Sequence, residues 1–499
     1  MAGGTTTLRT MKIIAGARPW LLLSIWPLGY FLTYSTLPGF ALQYGALSLL
    51  ALFSCGLLLF GLRKPLAHSL PVWMFLLVFV FGYYLEFYLI LFDPSILDVF
   101  FAPTKMTQID TDAFFTCYLA MTGAFVGTNL VSLFYLQSRS RQPDVFAGPY
   151  HNNANDRILW QLSLSFGAIV LASSLLAYRF NLIGSSDRDL LPLHLEGIID
   201  YFRVVTAPLL AVFTIQLASL DKRRNWITAG VITLLAFALS DMVLRTSKGT
   251  FISMAFALIF LRLIADKKPS KKQVTTGLIL LVIGLLLFPV FLVFRILRAQ
   301  GMEIDAGLSS SIRQLLDLGT MPAALTYLYR LLVLRFTGAG ALLAITTRHI
   351  HPLGIASWDA FWGPRSWSGY INMEVFGVSP RYVDYFGIAP SLVGLFYVLG
   401  GVAAAAIGCT SLWALILFGW NQLGRLGVAL GPASRAIYLE MVLWVVVDGN
   451  ATLQLAKELG VFTVSLLAAY WLSNLDLLDL LASSRTASSG SPRPASVGG

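Results

Sequence analysis

The sequence predicts an all-α fold: a polytopic transmembrane helix bundle of about twelve spans with a large, partly helical outer loop. Three observations carry this expectation. Of the 499 residues, 57% are apolar and only 12% charged, against about 25% charged in an ordinary soluble domain. The deficit recurs along the whole chain, so neither a signal peptide nor a single anchor on a soluble enzyme accounts for it. Stretch after stretch also reaches the roughly 20 apolar residues that a helix needs to cross a hydrocarbon core of about 30 Å. Barrel-type alternation is absent, and helices satisfy their own backbone groups in lipid.

The apolar runs place spans at 19–37, 40–61, 70–92, 112–136, 158–178, 200–219, 226–243, 249–265, 274–295, 387–418, 430–449 and 459–475. The tenth is long enough to be tilted, or broken at Gly400-Gly401. Basic residues set the orientation. Arg9, Lys12 and Arg18 precede the first span, and Arg63-Lys64 follow the second. Arg139, Arg141 and Arg157, then Lys222-Arg223-Arg224, then Lys267, Lys268, Lys271 and Lys272, and finally Arg425 mark every second connection after that. Both termini are therefore expected in the cytoplasm, 1–18 as a short tail and 476–499 as a disordered one rich in Ser, Pro, Gly and Arg. The net charge of +10 lies mostly in these short loops, which argues against nucleic acid as a partner and for the lipid bilayer. Cys55, Cys117 and Cys409 each sit inside an apolar run without CxxC or Cys/His spacing, so a disulfide framework, a structural zinc and a thiol nucleophile are poorly supported.

One connection is out of proportion. Residues 296–386 lie between spans nine and ten, on the outer face, and are too apolar for a linker. Leu315-Leu316, Ala323–Leu334 and Gly338–Ile345 suggest short helices lying in or dipping into the membrane boundary. Long structured loops are usually functional. This one carries Arg298, Arg313, Arg330, Arg335, Arg348, Arg365 and Arg381 and no lysine, whereas the inner loops use both. Arginine grips phosphate or carboxylate with a planar fork, and lysine is a hydrated point charge. An arginine-only outer loop points to anion recognition, although Glu303, Asp305, Asp317, Asp359, Glu374 and Asp384 must pair with some of the seven.

Two smaller cationic sites fall at the same face. Arg295 and Arg298 stand i,i+3 at the end of span nine, on one helix face. Arg245 and Lys248 occupy the turn between spans seven and eight, where Thr246 and Ser247 add donors and Gly249 permits close backbone approach. A plainer account makes both sites caps that snorkel to lipid phosphates.

Three local patterns resemble the O-antigen (oligosaccharide repeat unit) polymerases of the Wzy type. Arg245-Thr246-Ser247-Lys248-Gly249 is similar to the family's Ser-Arg-Gly turn, with Lys248 in the arginine's place. Leu334-Arg335-Phe336-Thr337-Gly338 is similar to its Arg-Phe-containing outer helix. Phe386-Gly387-Ile388-Ala389-Pro390, followed by Gly394-Leu395-Phe396-Tyr397 and Gly400-Gly401, resembles its Pro-x-x-x-Gly-x-x-Tyr-x-x-x-Gly entry into the span after the large loop. The resemblance covers roughly 240–405. It implies a GT-C-like membrane fold in the cytoplasmic (inner) membrane and a glycosyltransferase that joins polyprenyl-diphosphate-linked repeat units without a metal or other cofactor. A chain-length regulator and a flippase are the implied partners. Arg245, Lys248, Arg295, Arg298 and Arg335 would hold the departing diphosphate.

The acceptor hydroxyl needs a base. His349 and His351, beside Arg348, and Glu374 and Asp384, later in the loop, are the candidate bases. The two histidines also fit plain interfacial side chains, and the two carboxylates fit partners for Arg365 and Arg381. A His-x-His metal site lacks a third ligand at a persuasive spacing. The aromatic group Trp358, Phe361, Trp362, Trp367 and Tyr370 reads as an interfacial belt or as sugar-stacking surface. Glu86 near the end of span three and Glu440 within span eleven are costly intramembrane charges, expected to line a proton or substrate path or to pair across helices. Arg435 stands five residues before Glu440, and Asp448-Gly449-Asn450 ends that span. A flippase for lipid-linked saccharide and a glycan ligase share much of this chemistry. No internal repeat supports the flippase, and a channel or scaffold leaves the arginines unexplained.

Overall fold

Among the described residues the long apolar runs form helices, because closing every backbone hydrogen bond within the segment is what an apolar surround demands. The computed structural model describes residues 22–62, 66–97, 110–139, 156–179, 202–245, 249–265, 338–347, 391–448 and 453–474. Among them no strand occurs. The helices are α1 (Ile25–Thr36), α2 (Ala41–Gly61), α3 (Leu66–Phe79), α4 (Glu86–Phe92), α5 (Thr111–Arg139), α6 (Asp156–Arg179), α7 (Ala207–Leu220), α8 (Arg224–Arg245), α9 (Gly249–Ile264), α10 (Ala339–Thr347), α11 (Leu392–Leu423), α12 (Gly427–Asp448) and α13 (Leu453–Asn474). Two π segments, Val80–Leu85 and Phe202–Thr206, lead into α4 and α7. Every expected span coincides with one of these helices except 274–295, which lies outside the described residues.

Among the described residues, seven stretches are long and apolar enough to cross a membrane: Pro38–Gly61, His68–Phe92, Thr111–Ser138, Asp156–Leu176, Phe202–Leu220, Leu392–Leu423 and Leu430–Val447. The surface agrees with that assignment. Phe31, Leu42, Phe53, Phe134, Leu171, Ile407 and Trp471 are exposed, while Ser48, Ser54, Thr122, Asn129 and Ser132 are buried. Apolar outside and polar inside is the distribution of a helical membrane protein, since lipid removes the penalty on exposed apolar side chains.

The chain divides into two compact units. The first holds α1–α5, α10, α11 and the second half of α12. Its spine is α5 packed along α11, with α2 against α5. Small residues let the two spine helices approach: a Cβ on Gly123 would lie 3.2 Å from that of Ala406, and one on Gly127 would fall on the Thr410 hydroxyl. Buried hydroxyls pair across helices, Ser48 with Tyr118 at 2.7 Å and Tyr118 with Tyr88 at 2.8 Å. The Trp413 indole donates to Ser132 at 2.8 Å, and the Asn129 amide to Ser54 at 3.1 Å. Gly400-Gly401 breaks α11, with Gly401 at φ 70° and ψ −156°, a region essentially reserved for glycine. The second unit packs α7 between α6 and α8.

Gly29 on α1 faces the Tyr88 ring, and any Cβ there would overlap that ring. Tyr88 is tied to Tyr118 and cannot swing away without losing its hydroxyl partner. Gly29→Ala is therefore expected to destabilise the fold by about 1–3 kcal/mol of overpacking. A thermal-unfolding midpoint in detergent equal to that of the unaltered chain would contradict this contact.

Candidate functional site

The third span changes pitch where it approaches the large loop. α3 gives way to the π segment Val80–Leu85, and α4 begins at Glu86. One inserted residue turns everything after it by about 100° around the helix axis. Tyr83 and Glu86, three residues apart in this stretch, both take up backbone donors at the starts of other helices.

Glu86 is only 1% exposed. Its Oε2 accepts the N–H of Gly338 at 2.9 Å and of Ala339 at 3.1 Å, and its Oε1 accepts that of Gly340 at 3.3 Å. These are donors of the first turn of α10, which have no partner within their own helix. A buried carboxylate costs several kcal/mol in desolvation. Each hydrogen bond returns about 0.5–1.5 kcal/mol net. The arrangement thus solves two problems at once, an orphaned helix start and a buried carboxyl group.

Residues Ala339–Thr346 are all buried, and α10 packs on α5, α11, α4 and the π segment. The sequence placed Gly338–Ile345 at the membrane boundary; the helix is there, but inside the first unit. Its entry requires glycine. A Cβ on Gly338 would collide with the backbone oxygen of Gly82 and sit 2.7 Å from the Tyr83 ring.

α11 starts beside it. Ser391 adopts φ 63° and ψ 162°, strained for a residue with a Cβ, and its Oγ accepts the Gly394 N–H at 3.3 Å. The Tyr83 hydroxyl accepts the Val393 N–H at 3.3 Å. A Cβ on Gly394 would lie 3.0 Å from Ile345, so the two helices touch through this glycine. The stretch 348–390 therefore leaves from a helix held by Glu86 and returns to a helix start held by Tyr83.

The second unit has its own buried charge. Arg203 and Asp241, 2% and 0% exposed, meet at 2.8 Å between Nε and Oδ1. The N–H does not aim at the oxygen well enough for a hydrogen bond, so charge and not directionality holds this contact. Arg203 lies in the π segment that precedes α7, with its guanidinium carbon 5.8 Å from the centre of the Phe237 ring. Thr206 and Ser465 hydrogen-bond at 2.6 Å. Arg245 follows Asp241 by one helical turn at the end of α8.

The side chains nominated from sequence as candidate bases or diphosphate ligands lie outside the described residues. The backbone of Arg245 belongs to α8, and its side chain lies outside the described residues, as do Lys248, Arg295, Arg298, Arg335, His349, His351, Glu374 and Asp384. Of the intramembrane charges singled out, Glu440 and Arg435 are buried. Glu86 bonds across helices, one of the two roles expected of it, but its partners are backbone N–H groups and not a side chain. Sequence reading missed Tyr83, Gly82 and Ser391, and it missed Arg203 and Asp241. Only the last two carried a signal: opposite charges inside the spans at 200–219 and 226–243. No family model, curated protein or solved structure matches this chain.

Two substitutions probe these contacts. Gly338→Ala should displace the start of α10 and lower detergent stability measurably, whereas alanine at Gly56, which faces open space, should not. Asp241→Ala should cost about 3–5 kcal/mol by leaving Arg203 uncompensated, and pairing it with Arg203→Met should recover most of that. A loss in the double variant equal to the sum of the two single losses, read by denaturant or thermal unfolding, would show that the pair is not coupled.

Proposed function

We propose that this multi-pass membrane protein is a polysaccharide polymerase of the O-antigen type, acting at the outer face of the cytoplasmic membrane on polyprenyl-diphosphate-linked repeat units. The observation that carries the proposal is the segment 296–386, which holds seven arginines and no lysine. Support comes from its middle, Gly338–Thr347, being anchored inside a packed helical unit and not left as a linker. Arg335 precedes that anchor by three residues, and Arg348, His349 and His351 follow its helix directly.

In the proposed reaction a hydroxyl oxygen of the incoming unit attacks the anomeric carbon of the growing glycan. The bond from that carbon to the diphosphate breaks, and polyprenyl diphosphate departs with the electron pair. Arg245, Lys248, Arg295, Arg298 and Arg335 are the groups assigned to its developing charge, a task preorganised cations perform well where water is scarce. The hydroxyl proton passes to one of His349, His351, Glu374 or Asp384.

Arg298→Ala and Arg335→Ala should each reduce elongation by about 100-fold or more while the protein stays in the membrane. Gel profiles of glycan length in cells check this, and unchanged long chains in both variants would defeat the arginine assignment. Purified protein should lengthen diphosphate-linked units in detergent with a chelator present. If it instead only moves those units between leaflets of a liposome, the protein is a flippase, and if it transfers finished glycan to a different lipid acceptor, it is a ligase. Among the four candidate bases, the variant that removes the true one should lose about 10²–10⁴-fold in turnover.

A further inference from the structure

The basic turn between α7 and α8 is built more tightly than a solvated run of charge needs. α7 closes on a pair of hydrogen bonds: the Arg223 N–H donates to the Ala218 carbonyl at 2.9 Å, and the Lys222 N–H to that of Ser219 at 3.3 Å. This is a Schellman end, whose left-handed position ordinarily goes to glycine. Lys222 occupies it at φ 58°, with a steric cost that glycine avoids. Arg223 is held from the side. Its guanidinium pairs with Asp156 at the start of α6, and its Nε lies 3.8 Å from Asp221. The Trp226 indole donates to the same Asp156 oxygen at 3.2 Å, and Trp160 meets the Trp226 ring edge-on at 5.4 Å.

Both aspartates therefore face Arg223. Lys222 and Arg224 are exposed, and among the described residues neither forms an ion pair. The turn joins the ends of the spans Asp156–Leu176 and Phe202–Leu220, which places it at a membrane boundary. Below the exposed cations the surface becomes apolar. On α8, Arg224, Thr228 and Ile232 follow one another at four-residue spacing on one exposed face, Ile232 by 61%. On α6, Trp160 and Leu164 do the same, at 57% and 61%. Ile232 lies about 12 Å along the axis from Arg224, which clears a headgroup layer of about 5–8 Å and reaches hydrocarbon.

We propose that this turn binds one anionic phospholipid of the bilayer: Lys222 and Arg224 take the phosphate, Trp160 and Trp226 lie at headgroup level, and Leu164 and Ile232 line the acyl chains. Arginine offers a fork for the phosphate oxygens and lysine a point charge on a flexible stem. Indole rings prefer that depth of the membrane. A soluble phosphate would use the cations but not the apolar rows that continue from them. The site lies wholly in the second unit and stands without the transfer reaction proposed above.

The test titrates the full-length chain, delipidated in a neutral detergent, with phosphatidylglycerol, phosphatidylcholine or inorganic phosphate, and follows the thermal-unfolding midpoint. Phosphatidylglycerol should raise the midpoint saturably, and the other two should not. Lys222→Gly combined with Arg224→Gln should weaken the apparent affinity about 30-fold, roughly fivefold for each basic residue lost at a lipid surface. Lys222→Gly alone should not lower the midpoint in lipid-free detergent, because glycine relieves the left-handed strain, yet it should weaken the lipid response. A purely structural role for the lysine moves both readings down together. Arg425→Gln, an exposed basic residue outside the turn, should leave the affinity unchanged.

An unaltered phosphatidylglycerol response in the double variant would overturn the proposal. So would an equal shift from phosphatidylcholine, which means no demand for negative charge, or from inorganic phosphate, which means a plain anion site. A loss in Arg425→Gln as large as in the double variant would also overturn it, because the response would then report net charge alone.

Discussion

A carboxylate buried in the third span accepts three backbone donors from a segment some 250 residues later, and the first unit is arranged around that contact. Without it the unit would contain a helix start with no water to satisfy it and a buried carboxyl group with no partner. Either alone is among the most expensive defects in an apolar interior. Together they cancel. The π segment before Glu86, the bare Cα of Gly338 and the contact of Gly394 with Ile345 all serve the same end, which is to let α10 come close enough for the bonds to form.

The second unit repeats the theme with other means. Arg203 sits within a π segment where Glu86 follows one, and it too is buried, but Asp241 supplies its compensation. The shared element is the extra residue of a π turn, which re-aims a side chain that regular α geometry would send elsewhere. The two units thus hold a buried ionisable side chain in two ways, Glu86 by backbone donors at a helix start and Arg203 by an opposite charge.

The membrane-helix architecture was legible from apolar run length, and so was the weak point at Gly400-Gly401, because both are local properties of the chain. The segment Gly338–Ile345 was also legible as helical. Its burial was not: Ala339-Gly340-Ala341-Leu342-Leu343-Ala344 is apolar enough for a membrane surface or for a protein interior, and only the partner decides. Glu86 announced itself as costly but not its remedy. Rules of side-chain pairing search for lysine or arginine, and the partners here are peptide N–H groups at a glycine-rich turn. Arg203 and Asp241 lie on different spans, so no helical spacing relates them. Of the candidate site, the sequence nominated ionic groups that lie outside the described residues, and the described residues show the two helix starts at Gly338 and Leu392 with their partners Glu86 and Tyr83.

For the proposed reaction, that frame narrows how a diphosphate would be recognised. A helix N-terminus is a ready phosphate site, and α10 presents one beside the large loop, but Glu86 already occupies it. A diphosphate arriving there would have to displace a carboxylate held by three bonds and would leave that carboxylate buried and unpaired. In the proposed reaction the work of neutralising the leaving group therefore falls to side-chain cations. This requirement favours arginine over lysine in 296–386, since the fork of a guanidinium supplies in one group the several donors that the helix start no longer offers. The clamp and the arginine-only composition are then two sides of one constraint: the backbone donors are spent on architecture, and the side chains must carry the recognition.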